Sequence, residues 1–265
     1  MKTVEFLKQN NVDVEKSLEL FGDMETYNQT LKEFQDGIDN KLAEIEKYYN
    51  EADMANYAIY VHSLKSDCKY FGFTKLAEMS YEHEMQSKAD NYEFVKENYA
   101  PLMEEAAKVK QLVNEYMEDD VEETISETSS TPTAEPVSNK NIILVADDSE
   151  VVRMFVKKIF DEEYEVASAI NGEEAINFIK QHETDHKIKA ILLDLNMPKV
   201  DGFAVLDYIN QADLFLVSPV SIISGDTTSE AINKAFSFPI VDMINKPFSE
   251  DKIKQIVEKT ISFSS

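Results

Sequence analysis

The 265-residue chain is predicted to hold two domains of different fold class. Residues 1–117 read as an all-α, up-and-down helical bundle, and residues 141–265 as an α/β, doubly wound, five-stranded parallel sheet. Three observations predict this division. Before residue 118, apolar positions recur only at helical spacing, with no β-rich run. After residue 140, short unalternating apolar runs alternate with helical patterns, as buried parallel strands and their crossover helices do. Residues 118–140 between them lack glycine and aromatics and are rich in acid, Ser, Thr and Pro. Such a stretch cannot bury enough apolar surface to offset chain entropy, and it reads as a flexible linker.

In the first domain, Val14–Phe21 reads as a short leading helix. Four longer helices follow at Thr30–Tyr49, Met54–Phe71, Thr74–Ala89 and Tyr92–Met117. Asp53 and Thr74 read as N-caps, and Gly72 sits where a helix should stop. In the second domain, strands are expected near 141–146, 164–168, 189–193, 219–224 and 240–244. Helices are expected near 150–160, 173–181, 203–210, 228–237 and 250–261. Thr227 with Glu230 forms a capping box.

Composition narrows the function classes. A formal charge of −25, from 51 acids against 26 bases, argues against nucleic acid or an anionic membrane as a direct ligand. The single cysteine, Cys68, excludes an internal disulfide and fits a reducing cytoplasm. Charges at Lys2, Glu5 and Lys8 leave no signal-peptide core, and no apolar run approaches the roughly 18 residues of a membrane span. A soluble, cytoplasmic protein is expected.

Four of the five strand-like runs end in chemistry. Asp147 and Asp148 follow Ile142–Val145, Asp194 follows Ala190–Leu193, Ser224 closes Val220–Ile223, and Lys246 lies just past Ile240–Ile244. In an open parallel sheet, ligands bind outside the carboxyl ends of the strands, so these four points converge. Three carboxylates, a hydroxyl and an ammonium there suggest Mg²⁺-assisted phosphoryl chemistry on an aspartate. Asp148 and Asp194 read as direct metal ligands, Asp147 as a ligand directly or through water, and the backbone carbonyl of Asn196 as a further oxygen. Asp194 is the nucleophile that forms an acyl phosphate. Lys246 neutralises one phosphoryl oxygen and the Ser224 hydroxyl donates to another. The side chains of Asn196 and Asp226 lie where they could influence attacking water.

These residues carry a resemblance. The strings Val145-Ala146-Asp147-Asp148-Ser149, Asp194-Leu195-Asn196-Met197-Pro198, Val200-Asp201-Gly202, Ser224-Gly225 and Lys246-Pro247-Phe248 make residues 141–265 similar to a response-regulator receiver domain, which has a flavodoxin-like sheet. The resemblance implies that Asp194 is the phosphoacceptor and Ser224 the switch hydroxyl. One departure is Met243, where the family often has an aromatic three residues before the lysine.

The helix Met54–Phe71 places Tyr57, Val61, Leu64, Cys68 and Phe71 on its core face, with His62 nearly opposite Leu64 and outward. Small residues one turn either side, Ala58 and Ser66, leave the imidazole accessible to a bulky partner. Lys65 could hold phosphoryl oxygens on the ring, and Lys69 could attract an acidic receiver pocket. The string Val61-His62-Ser63-Leu64-Lys65-Ser66, with Gly72 ten residues past the histidine, resembles a histidine-containing phosphotransfer (HPt) domain. The similarity extends from about Val12 to Met117. His182 and His186 fall at the end of a helical pattern, where the helix dipole explains a histidine; His83 lies in an acidic helix without a matching ligand set, and Cys68 reads as core.

The expectation is therefore a phosphorelay protein carrying phosphoryl groups between His62 and receiver aspartates, with its own receiver phosphorylated at Asp194. No glycine-rich nucleotide loop is present among the six glycines, so the phosphoryl source is a histidine kinase or hybrid kinase, and other receivers are further partners. The sequence ends just past the last helix of the receiver-like half, which predicts output by partner binding or onward transfer. The alternative is a phosphorylation-gated binding module or phosphate sink, in which only Asp194 takes phosphate and the bundle docks or dimerises. Self-docking is expected to use Ile59, Ser66 and Lys69 against Val151, Met154 and Lys158. A linker of about 20 residues, with a root-mean-square span of roughly 25 Å, allows that reach.

Overall fold

The computed structural model describes residues 2–118, 140–225 and 228–263. Apart from its end residues, the expected linker lies outside them, as do Asp226 and Thr227.

Six helices form the N-terminal half: α1 (Val4–Gln9), α2 (Val14–Phe21), α3 (Met24–Asn50), α4 (Met54–Phe71), α5 (Thr74–Lys88) and α6 (Tyr92–Met117). Consecutive long helices pack on one another, and α3 also packs on α6, closing a four-helix bundle. Two boundaries differ from the sequence reading. Helix α3 begins six residues before Thr30, because the Asp23 carboxylate caps it by accepting from Thr26 N at 2.7 Å. Thr74 is the first residue of α5 rather than its N-cap, which is Phe73 and makes no side-chain cap. The short α1 was also missed; Leu7 anchors it, fully buried. Gly72 ends α4 at φ 76°, a left-handed geometry that glycine adopts without strain.

The C-terminal half alternates β1 (Ile142–Ala146), α7 (Glu150–Phe160), β2 (Glu165–Ala169), α8 (Gly172–His182), β3 (Ile188–Leu193), α9 (Gly202–Gln211), β4 (Val220–Ser224), α10 (Ser229–Ala235), β5 (Asp242–Asn245) and α11 (Glu250–Phe263). The strands are parallel in the order β2-β1-β3-β4-β5. Along β1, Ile143 and Val145 join the core beneath α7 and α11, while Ile142, Leu144 and Ala146 join the core beneath α8 and α9. Burial on both faces explains why this strand shows no polar alternation. Thr228, one residue after the expected Thr227, caps α10.

The two halves share one apolar core. Helix α7 packs on α3, and the ring of Phe155 meets Phe21 at 5.3 Å and Tyr70 at 6.3 Å. Tyr70 also meets Phe248 edge-on at 5.9 Å. All four rings are at most 1% exposed. Burying each such ring is worth about 1.5–3 kcal/mol, so these contacts favour the closed arrangement of the halves.

Candidate functional site

The carboxyl ends of β1, β3, β4 and β5 bring Asp147, Asp148, Asp194, Ser224 and Lys246 together. Sheet register fixes them: Ala146 pairs with Leu193, placing Asp194 just past it, and Asp194 N donates to Ala146 O at 2.8 Å. Lys246 N donates to Ser224 O at 2.8 Å, holding the lysine loop against the end of β4. Ser224 is fully buried. The Lys246 ammonium lies 2.6 Å from Asp147 Oδ2 and also donates to Asp194 Oδ2. Carboxylate oxygens of Asp147, Asp148 and Asp194 all lie within 4.8 Å of one another.

Three acids against one ammonium leave excess negative charge in a buried site. Burial raises Asp147 to about 7, helped by Asp194 and Asp148 and opposed by Lys246. Burial and Asp194 also raise Asp148. Burial alone would lower Lys246, but the three carboxylates outweigh it and raise its pKa. A hard divalent cation with oxygen preference fits this set. The Asn196 backbone N–H donates to Asp194 Oδ1 at 3.1 Å, which keeps its segment beside the acids.

The sequence matches the response regulator receiver domain family over residues 143–258. Chemotaxis protein CheY of Bacillus subtilis is 30% identical over 122 residues, covering 45% of this chain and 97% of that protein. The chain belongs to the response regulator receiver family. Its receiver is also 34% identical over 130 residues to the probable C4-dicarboxylate response regulator DctR of Priestia megaterium, covering 46% of this chain and 52% of DctR. The chain thus spans about half of that relative. The probable methanogenesis regulatory protein FilR2 of Methanothrix harundinacea is 27% identical over 123 residues, 44% of this chain and 79% of FilR2. Receiver domains are phosphorylated on an aspartate in two-component signalling and bind Mg²⁺ at an acidic pocket of this kind. Among the described residues, no helix is long and apolar enough to cross a membrane.

The bundle covers the receiver pocket with the face that carries His62. The imidazole was expected to face solvent, but it is 1% exposed. The cause is the receiver: a β-carbon added at Gly225 would lie 3.1 Å from both Nε2 and Cε1 of His62. Buried His62 Nε2 has no hydrogen-bond partner, whereas Nδ1 lies 2.7 Å from Glu84 Oε1. A carboxylate only accepts, so Nδ1 carries the proton toward Glu84, and in the neutral ring Nε2 presents its lone pair.

Glu84 was not anticipated, although it belongs to the stripe Leu76, Ala77, Ser80, His83, Glu84 and Ser87 that α5 buries. A carboxylate at helical spacing on the stripe that also carries Leu76 and Ala77 was the available signal. Its carboxylate accepts from Lys65 at 2.5 Å and Lys88 at 2.7 Å as well. Burial alone would raise its pKa, but the hydrogen bond and charge of His62, with Lys65 and Lys88, hold it well below the usual range. The structure therefore puts Lys65 on the Nδ1 side, 3.2 Å from that nitrogen and engaged by Glu84, rather than toward Nε2. His83 is structural. Its Nε2 donates to Asn98 O at 3.2 Å, and its Nδ1 accepts from Tyr57 at 2.7 Å.

The expected docking residues divide. Ser66 is buried, its Oγ 3.6 Å from where a β-carbon of Gly225 would lie, and Val151 is buried at the junction with α3. Ile59 is half-buried. Lys69 stays exposed beside Pro247 at a cavity rim. Met154 stays 38% exposed, because its neighbour Phe155 is the side chain that turns into the interface. Lys158 reaches α3 instead of the histidine helix, donating to Thr26 Oγ1 and Gln29 Oε1 at 2.8 Å each. Tyr70 adds a contact that the sequence did not suggest: its hydroxyl accepts from Phe248 N at 3.3 Å, two residues past Lys246.

Proposed function

We propose that this chain is a phosphorelay protein whose bundle is an HPt domain, with His62 exchanging phosphoryl groups with Asp194 of its own receiver and with other receivers. One observation carries this reading. The buried, unpartnered Nε2 of His62 lies against Gly225, the residue after Ser224 at the mouth of the aspartate pocket.

In transfer from receiver to bundle, the Nε2 lone pair attacks the phosphorus of the Asp194 acyl phosphate. The N–P bond forms as the P–O bond to Asp194 breaks, and Asp194 leaves as a carboxylate. Positive charge develops on the ring, and Glu84, kept ionised by Lys65 and Lys88, stabilises it through Nδ1–H. Lys246 and the Ser224 hydroxyl serve the phosphoryl oxygens. Asp147, Asp148, Asp194 and the Asn196 carbonyl would hold Mg²⁺, which supplies charge neutralisation to those oxygens when bound. Transfer in the other direction reverses these steps. The donor that supplies the chain is a histidine kinase or hybrid kinase.

A second reading is favoured by the burial of Asp194 beneath the bundle: a binding module that the bundle covers, with phosphate on Asp194 alone. Substitution of His62 separates the two. His62→Gln is expected to abolish an acid-labile, base-stable phosphohistidine formed from a phosphorylated partner, with helicity unchanged. Normal labelling of that variant rejects the HPt reading.

A further inference from the structure

Besides the histidine contact, one charged group of the bundle is buried against the receiver. The Asp67 carboxylate on α4 is 3% exposed. Its Oδ1 accepts from the Ser149 hydroxyl of the receiver at 2.5 Å. Its Oδ2 accepts from Lys41 on α3, which also donates to Ser63 at 2.8 Å. Asp67, Lys41 and Asp148 line one cavity of about 240 Å³ at the junction of the halves.

A carboxylate is an unfavourable group to bring toward three receiver carboxylates. Lys41, paired with Asp67 Oδ2, offsets part of that repulsion. Lys41 belongs to the bundle, however, so it accompanies Asp67 whichever receiver is docked. What the receiver adds is the one proton of Ser149. In the closed state that hydroxyl gives its one proton to Asp67 and accepts from Val152 N at 3.3 Å as the cap of α7. A receiver lacking a donor at the residue after its acid pair would strip water from Asp67 Oδ1 and return nothing, a large penalty for a buried charge.

We infer that Asp67 is a specificity determinant, directing the His62 face to receivers that present a hydrogen-bond donor immediately after the acid pair, with the chain's own receiver as the fitted partner. The choice of phosphotransfer partner rests on the HPt reading above; the docking preference does not.

The test is hydrogen exchange on the full chain, which needs no phosphoryl chemistry. Ser149→Asp keeps a helix-capping side chain but sets a carboxylate against Asp67. It should raise exchange about tenfold or more at the α4 turn around His62 and at the end of β4. Adding Asp67→Asn, whose amide can donate to the new carboxylate, should restore the protection. Unchanged protection in Ser149→Asp, or no restoration in the double variant, overturns the inference. If protection follows the prediction while His62 takes no phosphate, the docking determinant stands and the phosphotransfer reading falls.

Discussion

The imidazole of His62 and the backbone of Gly225 are packed so closely that no β-carbon fits at 225 without displacement, the clearance being 3.1 Å to both Nε2 and Cε1. This places the bundle's candidate nucleophile at the mouth of the receiver pocket. Gly225→Val should therefore push the ring away. Overpacking of this kind costs about 1–3 kcal/mol, so exchange between His62 and Asp194 should slow roughly tenfold or more. Labelling of Asp194 by a small-molecule phosphodonor, measured in parallel, should not slow. Equal losses in both assays would mean that Gly225 serves the receiver alone.

Glu84 sets the ring's proton on Nδ1. Glu84→Ala removes that acceptor and leaves Lys65 buried without its partner. Phosphohistidine formation should drop by about 10²-fold, in the range seen when a positioned electrostatic group is lost. Glu84→Gln keeps an acceptor oxygen but no charge, and should fall between the two. Rapid-quench labelling ranks the three proteins, and a glutamine variant no better than alanine would contradict the orientation argument.

Asp194 is the proposed acyl-phosphate site. A small-molecule phosphodonor with Mg²⁺ should give one acid-stable, base-labile phosphate, absent in Asp194→Ala. Lys246→Ala should keep Mg²⁺ binding largely intact but impair phosphorylation, because the ammonium that touches Asp194 is gone. Intact-mass spectrometry at controlled pH reads both outcomes.

Mg²⁺ affinity should depend on pH with a definite sign. Burial and like-charged neighbours raise Asp147 to about 7. The cation needs the ionised carboxylate, so protons compete below that value and binding releases protons. Affinity should be roughly tenfold weaker at pH 6 than at pH 8. Calorimetric titration at both pH values, in buffers of different ionisation enthalpy, measures the affinity and the proton release. Identical affinities would show that Asp147 is ionised throughout.

Most of the receiver was legible because its signals are local. A buried parallel strand is a short apolar run, and each candidate pocket residue lies at or just past the end of one. The start of β5 was misplaced because Ile240 and Val241 extend the apolar run, whereas pairing with Ser221–Ser224 begins at Asp242. The bundle's helices α2, α4, α5 and α6 were legible from periodicity, with Asp53 and Gly72 marking the ends of α4. The surroundings of His62 were not. Glu84 lies 22 residues away on another helix, and Gly225 lies in the other half of the chain. Helical spacing shows which face leaves the bundle core; it does not show what covers that face. Asp67 and Ser149 illustrate the same limit, since each looks like an ordinary surface group until the halves meet.

His62 and Asp194 are proposed to exchange phosphate within one molecule. The direct measurement is the decay of phosphohistidine on the full chain, followed at several protein concentrations. Decay should be faster on the wild type than on Asp194→Ala, at a rate independent of concentration, with phosphate appearing transiently on Asp194. Equal rates for the two proteins, or a loss that slows on dilution, would contradict the account and assign the two halves to separate partners.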